Sequence, residues 1–111
     1  MDSKVRITYY IGTNSNGNVM NEDKIQDSRN YICWQLTSLY GGCTMNRAIG
    51  GWNGNNGMVL EDTIVASVIV DSDRVDSFLM DEYPSSLAAT YGQECIMVTR
   101  ENIEVSFVGR K

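Results

Sequence analysis

GGCTMNRAIGGWNGNNGMVLEDTIVASVIV, residues 41–70, decides how the rest of the chain is read, because it joins the most irregular stretch to the strongest strand. From Met58 to Val70 the residues are aliphatic and β-branched. The run Thr63, Ile64, Val65, Ala66, Ser67, Val68, Ile69, Val70 is too apolar for a strand wetted on one face, which predicts a central strand. In front of it stand two glycine clusters, Arg47, Trp52 and Asn53, Asn55 and Asn56. That composition permits positive φ and close backbone approach, and it supplies carboxamide donors and acceptors suited to recognition. Residues 50–57 are expected as a glycine-rich hairpin loop between a strand at 43–49 and the strand at 58–70. The glycines match neither a P-loop nor a G-x-G-x-x-G turn, because a strand follows them instead of a helix.

Working outward, VRITYYI (residues 5–11) alternates as a strand with Val5, Ile7, Tyr9 and Ile11 on one face. A turn is expected over residues 13–18. Asn21 ahead of Glu22 and Asp23 is an N-cap signature, and Ile25, Ile32, Leu36 and Leu39 recur at helical spacing as far as the Gly41–Gly42 stop. Arg29 lies beside that apolar stripe; a rim arginine with a covered stem and a ligand-gripping arginine fit the position equally.

Downstream, Asp71, Ser72 and Asp73 form an acidic cap for a second helix through Val75, Phe78, Leu79, Tyr83, Leu87, Ala88 and Tyr91. Pro84 should break or kink it near Glu82 and Tyr83. Residues 93–100 and 103–108 are strand-like, read as one long bulged strand. The order β-α-β-β-α-β is that of the ferredoxin-like, split βαβ unit, an α+β fold with an antiparallel sheet and two main helices on one face. Its other face would need covering. Tyr9, Tyr10, Trp52 and the apolar 65–70 run supply more hydrophobic surface than two helices bury, which predicts a homodimer or higher oligomer.

A chain of 111 residues allows a single domain, residues 1–111, around one core. A net charge of -5 argues against a nucleic-acid polymer as partner, since such binding needs a cationic surface. MDSKVRITYY lacks the apolar core of a signal peptide and no run could span a bilayer, so a cytoplasmic location without membrane contact is expected. Three cysteines, Cys33, Cys43 and Cys95, show no paired spacing and are read as free thiols.

The complete lack of histidine removes the commonest general base and the commonest transition-metal ligand. No metal or other cofactor is expected. The acidic pair Glu22 and Asp23 is explained as a helix start and the pair Asp81 and Glu82 as a solvated helix face. Glu61 and Asp62, opening a strand, are the least explained. Among the polar residues, Arg29, Arg47, Arg100 and Arg110 grip phosphate well, Trp52, Tyr83 and Tyr91 could stack on a base, and Asn53, Asn55, Asn56 and Gln93 could read base edges or ribose hydroxyls. Core tyrosines and rim arginines produce the same list without a ligand.

Taken together, VRITYYIGTNSNGNV (5–19), RNYICWQLTSLYGGCT (29–44), GGWNGNNGMVLEDT (50–63) and YGQECIMVT (91–99) resemble a family of small phage proteins, the first type of Thoeris anti-defence protein. The likeness runs over nearly the whole chain. It implies a sponge and not an enzyme: a protein that encloses the glycocyclic ADP-ribose messenger of bacterial TIR-domain proteins unchanged and so silences Thoeris immunity. Some members assemble beyond the dimer, up to hexamers, and also hold cyclic oligonucleotide signals. On that resemblance Arg29 and Arg110 would pair with phosphates, Tyr83 would stack on the base, and Gln93 with Asn53, Asn55 and Asn56 would contact ribose or base. Arg47 and Trp52 would serve the same pocket or a second one. The alternatives are a small dimeric ferredoxin-like enzyme of monooxygenase or isomerase type, against which the missing histidine counts, and a small-molecule sensor domain.

Overall fold

The computed structural model describes residues 3–15 and 17–111. It is an α+β fold in which strands β1 (Lys4–Gly12), β4 (Thr44–Gly54), β5 (Gly57–Asp71) and β6 (Met97–Ile103) form one antiparallel sheet in the order β4-β5-β1-β6. Helices α1 (Glu22–Tyr40) and α2 (Tyr83–Thr90) pack on one face of it. A two-stranded ribbon, β2 (Asn14–Ser15) and β3 (Asn18–Val19), replaces the simple turn expected over 13–18, within which Asn16 lies outside the described residues.

Alternation in β1 decides the core. Val5, Ile7, Tyr9 and Ile11 are fully buried and pair in register with Val70, Val68, Ala66 and Ile64 of β5, so eight side chains line a single face. Ile25, Ile32 and Leu36 of α1 and Leu79, Tyr83 and Leu87 close over that face. Each fully buried aliphatic side chain contributes about 1.5–3 kcal/mol, so this layer is the main source of stability. Within it, Tyr9 donates its hydroxyl to the Leu79 carbonyl at 2.7 Å and meets the Tyr83 ring edge-on at 5.4 Å. A phenol can sit there because its hydroxyl has a partner.

Helix α1 begins as its sequence dictates: Asn21 Oδ1 accepts the Lys24 amide at 2.8 Å, and Gly41 at φ 82° ends it by donating to the Thr37 carbonyl. Leu39, expected on the apolar stripe, is exposed, and Ser28 takes a buried position instead.

Three boundaries differ from the sequence expectation, and a fourth, the break at Pro84, falls where it was expected. Residues 50–57 are not a loop: β4 and β5 stay paired until Gly54 faces Gly57, and only Asn55 and Asn56 turn, because Gly57 adopts φ 112°. Asp71 caps no helix with its side chain. Asp76 does so instead, accepting the Leu79 amide at 3.0 Å after a short 3₁₀ turn at Ser72–Arg74.

The break at Pro84 takes the form of a π-helical turn, Phe78–Glu82, in which Tyr83 donates to the Phe78 carbonyl. Proline has no N–H to return to the carbonyl four residues back, so widening the helix there loses no bond. Finally, strand 93–108 shrinks to β6. Ile103 already faces Lys4, the first residue of β1, so among the described residues no strand continues beside residues 104–111.

The central strand also alternates more than its composition suggested. Ile69 is exposed on the face opposite the helices, which also carries Arg6 and Tyr10 of β1, both half-buried, and the buried Thr8. Cys33, Cys43 and Cys95 are free. Among the described residues no helix is long and apolar enough to cross a membrane.

Candidate functional site

Beyond Thr63, β5 and β4 leave β1 behind and run on as a two-stranded arm, since Gly12, the last residue of β1, pairs with Thr63. Where the arm meets the connection between α2 and β6, a cleft of about 510 Å³ opens. Its walls include Tyr10 and Gly12 of β1, Trp52, Asn53, Val59 and Glu61 of the arm, and Gln93 and Met97.

Local chain geometry fixes each polar group. Gly92, at φ 62°, turns the chain after α2, and its carbonyl accepts from the Ser15 hydroxyl at 2.8 Å. That delivers Gln93, whose Nε2 donates to the carbonyls of Asn14 at 3.2 Å and Tyr91 at 3.3 Å. With the amide nitrogen engaged, Oε1 is left to accept. On the opposite wall Glu61 Oε2 accepts the Asn14 amide at 2.8 Å, which leaves Glu61 Oε1 as a second acceptor.

Both free oxygens converge above Gly12. A β-carbon built there would lie 2.5 Å from Gln93 Oε1 and 2.6 Å from Glu61 Oε1. Only glycine lets two acceptors approach the strand so closely. Beside them the Trp52 indole lies across Gly50, where a β-carbon would come within 3.1 Å of Nε1, and remains 39% exposed. The cleft therefore offers two oriented acceptors, the Asn53 carboxamide and the rings of Trp52 and Tyr10. It has no lysine or arginine in its walls and carries Glu61 and Glu94. Such a surface takes donor groups and flat rings, and it repels a bare phosphate.

Of the sequence-nominated residues, Trp52, Asn53 and Gln93 come together here. The others do not. Asn55 and Asn56 form the exposed tip of the arm. Arg47 lies on the other side of the arm, held by Glu22 and by Asp62 at 3.0 Å, so two carboxylates already neutralise it. Its guanidinium, through that hydrogen bond, holds the Glu22 carboxyl below the usual range, with Arg29 nearby adding to the effect. Arg29 Nη1 reaches Gln26 at 3.3 Å, while its buried Nε has no protein partner among the described residues.

Arg110 belongs to the exposed C-terminal segment. Tyr83 corrects an expectation: it is buried, its hydroxyl donates to Gln35 at 2.9 Å and its ring is held between Tyr9 and Phe78, leaving no open face for a base. Burial pushes its phenol pKa strongly upward, as it does for Tyr9.

Two wall residues escaped selection. Glu61 stood out in the sequence as an acidic residue without a structural reason, whereas Tyr10 read only as surplus apolar surface.

A second depression, about 570 Å³, lies on the helix-free face of the sheet beside the Arg6–Glu101 ion pair of 3.0 Å. It contains none of the nominated residues.

The comparisons add a fold. No protein-family model matches the chain, and no curated protein matches it in sequence. A solved structure described as a phage SAM lyase in the apo state is similar at a TM-score of 0.57 with 13% sequence identity, covering 90% of this chain and 81% of that one. At that identity the likeness concerns the architecture alone.

Proposed function

We propose that the protein is a phage anti-immune sponge, which holds a glycocyclic ADP-ribose signal in the arm cleft without cleaving it and thereby blocks Thoeris defence. One observation carries the reading: Glu61 Oε1 and Gln93 Oε1 converge over the bare Cα of Gly12 beside Trp52 and Tyr10. Paired acceptors suit a ribose diol or the exocyclic amine of adenine, and an indole face suits the base. In this reading the cleft binds and does not transform, in keeping with a chain that lacks histidine, the commonest general base.

In this reading the diphosphate is gripped by arginines outside the cleft walls, Arg29 and Arg110, which a homo-oligomer brings to it, and the site lies where copies meet. The sheet order, with β5 and β1 central, is read as the split βαβ arrangement, whose helix-free face a second copy covers. A cyclic oligonucleotide signal would occupy a separate site, for which the depression beside Arg6 is the candidate. The protein acts in the host cytoplasm.

A second reading draws on the solved relative in fold. S-adenosylmethionine shares the adenosine and replaces the diphosphate with a sulfonium cation. A carboxylate flanked by two aromatic rings, Glu61 with Tyr10 and Trp52, suits that cation without help from arginine. The chain would then be a lyase.

One experiment separates the two. The protein is incubated with each compound, heat-denatured, and the supernatant analysed by mass spectrometry. The sponge returns glycocyclic ADP-ribose intact, after sub-stoichiometric free ligand before heating, and leaves S-adenosylmethionine untouched. Cleavage of S-adenosylmethionine sinks the first reading, and free messenger throughout sinks it equally.

A further inference from the structure

Residues 103–111, IEVSFVGRK, have the composition of a strand, yet among the described residues no strand pairing extends past Ile103. The cause is geometric: β1 starts at Lys4, opposite Ile103, so among the described residues no strand runs on beside the C-terminal segment. Phe107 is 95% exposed and Val108 78% exposed, which is costly surface for a segment that continues a sheet strand directly. An unpaired strand of this kind is a template for another chain.

The segment is complementary to itself. Glu104 and Arg110 each stand three residues from Phe107. In an antiparallel pair of two such segments related by a two-fold axis through Phe107, each Glu104 faces the other copy's Arg110, and the two phenyl rings face each other. Ser106 then opposes Val108, Val105 opposes Gly109, and no like charges meet. Alternation puts Ile103, Val105 and Phe107 of both copies on one face, with Glu104 and Arg110 on the other. Sliding the pair by one pleat loses both ion pairs in one direction and in the other exchanges them for Lys111 opposite Glu101, which Arg6 already engages at 3.0 Å, so charge and polarity favour the register centred on Phe107.

We propose that the C-terminal segment is a homodimerisation strand, docking antiparallel on the same segment of a second copy with Phe107 at the two-fold axis. Because the segment continues β6, the pairing joins two four-stranded sheets into one and is more than an isolated ribbon. Isologous closure also hides the edge that would otherwise recruit further chains. The inference concerns self-association alone; it assigns Arg110 to Glu104 of the second copy in place of the messenger's diphosphate and leaves the other contacts of the arm cleft as they are.

The test is sedimentation equilibrium of the full chain without ligand. Wild type is expected as a dimer or an even multiple of one. Arg110→Glu puts two glutamates opposite each other, and Glu104→Lys sets two cations together; each should weaken self-association by at least about tenfold. An equimolar mixture of the two variants restores both opposite-charge pairs and should associate as wild type does, while a protein carrying both changes should also self-associate. Circular dichroism checks that the variants fold, which their exposed positions favour. A monomeric wild type, single variants that associate undiminished, or a mixture that fails to recover overturns the proposal.

Discussion

The two halves of β5 follow different rules. From Thr63 to Asp71 the strand lies beside β1 under the helices, and Ile64, Ala66, Val68 and Val70 alternate into the core. From Gly57 to Asp62 it has only β4 for a neighbour, and its apolar residues are out in water, as with Leu60 at 62% exposure opposite a strand carrying Ile49 at 77%. One strand thus does two jobs. Its inner half holds the fold, and its outer half, cheap to alter, is the part that the proposed function assigns to a ligand. In that reading stability and recognition are separated along a single stretch of backbone, as expected when a rigid scaffold carries a variable projection.

Substitutions test that separation. Ile7→Ala or Leu36→Ala should cost about 3–4 kcal/mol in denaturant unfolding, because both are fully buried and leave a cavity, whereas Leu60→Ala should stay within about 0.5 kcal/mol. Equal costs would erase the distinction. Trp52→Ala should remove about 1–3 kcal/mol of messenger affinity by calorimetry, through lost stacking, and leave the unfolding midpoint almost unmoved. Gly12→Ala sharpens the same point, since its β-carbon must displace Gln93 and Glu61 from above the strand. Affinity should fall with little change in fold.

Tyr9→Phe leaves the Leu79 carbonyl without its hydroxyl donor and should cost about 1–2 kcal/mol. The smallest effect belongs to the ion cluster at the base of the arm. Glu22 titrates below its usual 4.5 in the folded chain, so its pairing with Arg47 stabilises above that value and is lost as pH falls through the depressed one. Protection of arm amides, measured relative to their intrinsic exchange at each pH, should drop on acidification below 4.5, and Glu22→Gln should flatten the response while core amides stay protected. Thiol reactivity offers a parallel check: burial raises the Cys43 pKa to about 11, so at neutral pH a thiol reagent should label the exposed Cys95 first.

Much of the core was legible because period and capping are local. The β1 alternation, the Asn21 cap and the Gly41 stop each fix their element from a few neighbouring residues. The arm was misread because glycine and asparagine argue for a loop by propensity, and only the pairing of Gly54 with Gly57 shows that two residues suffice for the turn. β6 ended early for a reason no local pattern contains, namely where its neighbour begins.

The site was half legible. Trp52, Asn53 and Gln93 reach the walls of the candidate cleft, whereas Tyr83, nominated on the same chemistry, is held in the core by Tyr9. Composition cannot distinguish a ring facing a ligand from one facing another ring. Glu61 was visible only as an acid without an explanation, and Gly12 became informative once two side chains were seen above it.

Hydrogen–deuterium exchange with and without saturating glycocyclic ADP-ribose tests the central claim most directly. Binding in the arm cleft predicts slowed exchange in peptides spanning residues 10–15, 50–62 and 91–97, with the amides of Val68 and Ile7 already slow and unchanged. Protection confined to residues 40–46 and 65–69, on the helix-free face, or no protection anywhere, would contradict it.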